Sequence, residues 1–162
     1  MKKIFSLLLV LLMLFTLAAC GSAKYDYFIE GIGIGSSMKD VEKKCLDYGT
    51  AMYAITKDES FLLLSSSFGV GNRYYYGTFL DQPGQVMFDY EKNRVKSMTF
   101  SYMFYGSESP ANYYQKVVSY FEEKFGSSGY ESTMDSGYYV SWSSVSVYYS
   151  KETNSVNITV RD

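Results

Sequence analysis

The sequence of 162 residues contains no histidine. That removes the side chain most used as a general base near neutral pH, and the commonest ligand for transition metals. A nucleophile in this chain would need help from a lysine or a carboxylate. Cysteine is scarce as well: only Cys20 and Cys45 are present. If Cys20 is taken up as argued below, no internal disulfide is available, and the fold must rest on its core. Charge of one sign is also missing. Lys and Arg number 15 against 17 Asp and Glu, for a formal net charge of −2, and no basic run stands out. Nucleic acid is therefore not expected as a partner. No Asp-x-Asp-x-Asp-Gly calcium loop occurs. Asp58-Glu59 and Glu122-Glu123 are neighbours in sequence and do not face one substrate, so paired-carboxylate chemistry is not supported. Asp89 and Asp135 read as solvated or turn-forming. The expectation is no catalytic residues, no metal and no dissociable cofactor.

Long apolar runs are confined to the start. Lys2 and Lys3 precede Ile4 to Ala19, which is apolar apart from Ser6 and Thr16. A membrane span needs roughly 20 apolar residues, and this run is shorter. Basic residues, an apolar core and small residues in that order make a secretory signal. Leu17-Ala18-Ala19-Cys20, continued by Gly21-Ser22, resembles the lipobox of bacterial lipoproteins. The resemblance implies cleavage before Cys20 and a diacylglycerol on its thiol, the one covalent group expected. Each buried CH₂ contributes about 0.8 kcal/mol, so two or more acyl chains of palmitate length hold where one chain is marginal. The implied location is the extracytoplasmic face of a cell membrane, with a leader in the Gram-positive style. Residues 1–19 are then signal peptide, 20–27 a lipidated cysteine and short tether, and 28–162 one domain.

Tyrosine is what the sequence has in excess, with 18 residues. Tyr74-Tyr75-Tyr76, Tyr113-Tyr114, Tyr138-Tyr139 and Tyr148-Tyr149 recur along the chain. In a strand, such pairs place one ring inward and one outward. Ser37 with Asp40 opens a first helix as a capping box, with Met38, Val41 and Cys45 on one face, Tyr48 continuing it, and Gly49 as its stop. Cys45 reads as a small buried apolar residue. Ser109 and Pro110 open a second helix whose stripe is Tyr114, Val117, Val118, Phe121 and Phe125, ended by Gly126. Residues 85–100 read as a hairpin turning at Glu91 to Asn93, and 144–160 as another turning near Lys151 to Asn154. YYGTF (75–79) matches YYVSW (138–142), with Phe79 opposite Trp142. FLLLSSSF (61–68) reads as an extra strand.

Together these predict an α+β domain: a tandem repeat of a helix plus three or four strands, over about 28–105 and 106–162. The two units would form one antiparallel sheet with both helices on one face. The other face would be open for function.

GIGIGSSMKDVEKK (31–44) lacks the lysine of a phosphate-binding loop and reads as a tight turn leading into a capped helix. Gly33, Gly35, Ser37, Met38 and Val41 resemble the opening of SmpA/OmlA-type lipoproteins and of β-lactamase-inhibitor-like repeats. That resemblance implies a helix-plus-sheet module that binds other proteins and catalyses nothing. Tyrosine among serine and glycine is the chemistry of antibody paratopes. Tyr74, Tyr75, Tyr76, Tyr138, Tyr139 and Trp142 are the candidate binding residues, although Trp142 and Phe79 read better as paired core anchors. The expected protein is lipid-anchored and extracytoplasmic, with a non-catalytic binding or assembly domain. Its partner would be an envelope protein or a glycan. A carboxylate-using envelope hydrolase and a surface inhibitor or immunity-type lipoprotein are the alternatives.

Overall fold

A computed structural model describes residues 24–65, 73–103 and 108–162. Cys20 and its lipobox lie outside the described residues. The elements run β1 (Lys24–Ile29), β2 (Ile32–Ile34), α1 (Met38–Lys44), α2 (Tyr48–Thr56), a 3₁₀ turn (Glu59–Phe61) and α3 (Leu62–Ser65). They continue with β3 (Tyr75–Phe79), β4 (Gln82–Glu91), β5 (Arg94–Met103), α4 (Pro110–Phe125), β6 (Tyr130–Met134), β7 (Gly137–Ser141), β8 (Val145–Ser150) and β9 (Ser155–Arg161). The domain is α+β. Among the described residues no helix is long and apolar enough to cross a membrane.

Seven strands form one sheet in the order β3-β4-β5-β9-β8-β7-β6, all pairs antiparallel. The β3-β4-β5 and β6-β7-β8-β9 meanders meet where β5 pairs with β9, Thr99 opposite Thr159. Alternation decides the two faces. Met98, Phe100 and Tyr102 stand opposite Val160, Ile158 and Val156, and all six are buried. Their neighbours carry hydroxyls and amides: Thr99 bonds Thr159 at 3.1 Å, and the Ser101 hydroxyl donates to Asn157 Oδ1 at 2.7 Å. One face is thus core and the other polar.

The core face is covered by α4, by α1 through Val41, and by the β1–β2 hairpin through Phe28, Ile32 and Ile34. Gly77 lets that hairpin sit close. A Cβ there would come within 2.8 Å of the Phe28 carbonyl oxygen and 2.4 Å of the Val86 side chain. In α4 the buried residues include Tyr113, Tyr114, Val117 and Phe121. Tyr113 was not in the expected stripe, whereas Phe125, which was, remains 40 % exposed. Ser109 caps the Asn112 amide at 3.3 Å, and Gly126 ends the helix with φ +80°.

The first helix ends earlier than its pattern suggested. Cys45 and Asp47 are extended, and a separate α2 begins at Tyr48, so Gly49 lies inside a helix and stops none. The cause is tertiary. The Tyr76 amide donates to the Leu46 carbonyl at 2.8 Å and the Tyr48 amide to the Tyr74 carbonyl at 3.0 Å. Pairing with β3 takes the backbone groups that helix propagation would have used. Asp47 then caps α2 through the Thr50 amide at 2.9 Å.

Two further expectations change. Phe61 to Ser65 are helical, not strand, because Asp58 caps the Ser60 amide at 2.9 Å and Phe61 is buried with Tyr48 and Met52; residues 66–68 lie outside the described residues. Lys24 to Tyr27, expected as part of a tether, belong to β1, and the Tyr27 ring packs on Phe121 at 5.6 Å; residues 20–23 lie outside the described residues.

Candidate functional site

The six candidate aromatic residues do not share one surface. Tyr74, Tyr75 and Tyr76 lie at the β3 end of the sheet, and Tyr138 and Tyr139 at the opposite, β6 end. Tyr75 is buried in the main core. Tyr74 and Tyr76 are half-buried against α2 and the 3₁₀ turn, in a second small core of Tyr48, Met52 and Phe61. Trp142 is only 7 % exposed, and its indole N–H donates to the Gly126 carbonyl at 3.0 Å. It packs on Phe121 at 5.6 Å, as does Phe79 from the other half. Phe79 and Trp142 are both core residues that share Phe121 as a neighbour.

Tyr138 and Tyr139 are placed differently. β7 sends Tyr138 to the helix side and Tyr139 to the open face. The Tyr139 ring lies 6.0 Å from Tyr130 of β6. On the helix side, Tyr114, Tyr138 and Tyr149 form a triangle of rings, with centroids 6.1, 6.0 and 6.1 Å apart. Tyr138 and Tyr149 are almost parallel, at 9°. Lys151 Nζ lies 4.7 Å from the Tyr138 centroid, a cation over a ring face.

Beside this triangle, between α4 and the β6–β7 hairpin, is a cleft of about 310 Å³. Such a volume suits a small ligand or one large side chain. α4 contributes Tyr114, Val118 and Glu122, and the hairpin contributes Glu131, Thr133 and Tyr138. Burial raises the Tyr114 phenol above its ordinary value, and the Glu131 carboxylate adds to this. The Ser128 hydroxyl donates to Glu131. Neither Glu122 nor Glu131 forms an ion pair among the described residues, where Lys96 pairs with Glu91 and Lys116 with Glu108. Among the described residues no group of three or more acidic or cysteine side chains could hold a metal ion.

The other residues singled out in the sequence have local duties. Asp40 accepts from the Ser37 hydroxyl at 2.6 Å, which holds its carboxyl below the usual range. Asp89 accepts from Ser97 at 2.6 Å. Cys45 is half-buried against the core, and burial pushes its thiol up to about 11.

Sequence reasoning missed β6 and with it Glu131. A signal existed: Asp135-Ser136-Gly137 is turn chemistry flanked by alternating residues. Glu122 was visible only as half of an adjacent pair. Its partner across the cleft comes from another element, which no spacing rule reveals.

The chain matches no family model, no curated protein and no solved structure.

Proposed function

We propose that the chain is a lipid-anchored extracytoplasmic protein whose single domain is a non-catalytic binding or assembly module, built from two copies of a helix-plus-sheet unit. Several features support the duplication. Ser37-capped α1 and Ser109-capped α4 each precede a meander. The Leu46–Tyr48 segment pairs with β3 as β6 pairs with β7. The last strand of each unit, β5 and β9, joins the two. On this plan α2 to α3 are an insertion in the first unit.

One observation carries the binding reading: the two ends of the sheet are treated differently. The β3 end is covered by chain and helix. At the β6 end, Tyr138 is exposed in an acidic, aromatic cleft on the helix side, and Tyr130 and Met134 are exposed on the opposite face of β6. Exposed rings at a free strand edge are costly to keep without a use. Anchorage at Cys20 would hold the domain near the bilayer surface, because Lys24 already begins β1.

Metabolic labelling with a clickable palmitate analogue, followed by membrane fractionation, tests the anchor. Label on the wild type and its loss in Cys20→Ala, with release of the chain from membranes, are expected. Unchanged membrane retention of Cys20→Ala overturns it. In-cell photocrosslinking from position 130 or 139 tests the module. A reproducible protein adduct, absent when the crosslinker stands at Thr56 on the far side, is expected. Cleaved glycan products in place of an adduct would establish the hydrolase instead.

A further inference from the structure

Resting on the binding-module reading, we propose that β6 accepts an extended peptide as an eighth strand, and that one basic side chain of that peptide fills the cleft between α4 and β6.

A strand edge is a row of unused donors and acceptors, and proteins normally blunt it with proline, lysine or cover. The first half of β3 is covered by Leu46–Tyr48. β6 is the last strand at the other end, and among the described residues nothing pairs with its outer side. Its sequence, Tyr-Glu-Ser-Thr-Met, has neither proline nor lysine. The Gly129 amide donates to the Ser141 carbonyl at 2.9 Å beside the Tyr130–Ser141 pair. Alternation from that pair turns the backbone N–H and C=O of Glu131 and Thr133 away from β7, toward an incoming chain.

These same two residues point their side chains to the helix side, since they stand opposite Val140 and Tyr138. A strand laid along β6 therefore sends alternate side chains under α4, into the cleft. The others meet Tyr130 and Met134, which are 59 % and 42 % exposed. This is strand addition beside a helix: the backbone supplies affinity and the pocket supplies selectivity.

The cleft selects for positive charge. Glu122 comes from the helix and Glu131 from the strand, and neither has a lysine or arginine in ion-pair contact among the described residues. The Tyr114 and Tyr138 rings offer π-faces to an ammonium or guanidinium, and Lys151 already uses Tyr138 in this way. A neutral glycan would stack on the rings but leave both carboxylates without counter-charge and the backbone row unused.

The test uses the full lipidated chain in detergent micelles, probed with an immobilised positional library of end-blocked octapeptides. Enrichment of Lys or Arg at one position, with β-branched residues alternating around it, is expected. Glu122→Gln and Glu131→Gln should each weaken the best peptide about fivefold, the ratio for an ion pair of roughly 1 kcal/mol. Thr133→Pro removes an outward amide at an edge position that tolerates proline, and should weaken it by at least about tenfold. N-methylation of alternate peptide amides should do the same, and it leaves the protein untouched if the proline variant misfolds. Selection with no basic preference, indifference to N-methylation, or chitooligosaccharides binding in place of peptides would each overturn the proposal. A crosslinked protein partner together with a library lacking basic selection refutes this site alone; loss of both refutes the module.

Discussion

The Tyr113 hydroxyl donates to the Phe79 backbone carbonyl at 2.8 Å, across 34 residues of sequence, with both groups buried. This bond ties the first turn of α4 to the last residue of β3, the strand farthest from β6. Burial raises the Tyr113 phenol well above its ordinary range, so the group acts only as a neutral donor. Tyr113→Phe should cost about 1–3 kcal/mol, because the Phe79 carbonyl is left buried without its partner. Urea denaturation of wild type and variant gives the difference directly. No loss of stability would show that the carbonyl finds another donor.

Phe121 carries both halves of the core. Phe79 and Trp142 each pack on it at 5.6 Å, and Phe125 stacks at 5.9 Å from the next turn of the helix. Phe121→Ala should destabilise by about 3–5 kcal/mol, as for a large aromatic side chain removed from a core. Phe125→Ala should cost far less, because that ring is 40 % exposed. Comparing the two by thermal melts checks the ranking.

Two hairpin turns hold a consecutive pair of non-glycine residues in the left-handed region: Leu80 and Asp81 at φ +47° and +62°, Lys92 and Asn93 at +51° and +61°. Two-residue turns of this kind favour Asn-Gly. Leu80 packs on the core and is best left alone. Lys92 and Asn93 are exposed, and the changes Lys92→Asn with Asn93→Gly should raise stability by about 1 kcal/mol. A shift of the denaturation midpoint without a change of slope is the expected signature.

Cys45 provides a pH test. Burial raises its thiol from 9.0 to about 11, against a smaller opposing pull from Lys44. The folded state thus favours the neutral thiol. That contribution is fully present below pH 9 and is lost as pH rises from 9 through 11, where the unfolded chain ionises first. Alkylation of Cys45 by iodoacetamide, read by peptide mass, should stay slow at pH 8 and accelerate only toward pH 11. Rapid labelling at pH 8 would mean that the thiol is open to solvent.

What was legible in the sequence was local. The caps at Ser37 and Ser109, the hairpins after Glu91 and Ser150, and the apolar alternation of β4, β5, β8 and β9 all follow from neighbours a few residues apart. The core placement of Phe79 and Trp142 was legible too, from their large apolar rings. What failed was decided at long range. Leu46 and Asp47 left the helix to pair with β3, and Tyr76 turned from a surface ring into a packing partner once α2 folded over it. The cleft was out of reach for the same reason: Glu122 and Glu131 belong to different elements that only the sheet order brings together.

The position of β9 has a consequence for biogenesis. Among the described residues it is the last element in sequence, yet it lies between β5 and β8 in the interior of the sheet. Contacts such as Thr99 with Thr159 span 60 residues, and closures of that span slow folding. A chain emerging amino terminus first would present its two meanders unconnected, and they would lock together only when β9 arrives. Loss of Ser155 to Arg161 would leave two half-sheets with raw inner edges, so a truncation just before β9 would be as damaging as one between the two meanders.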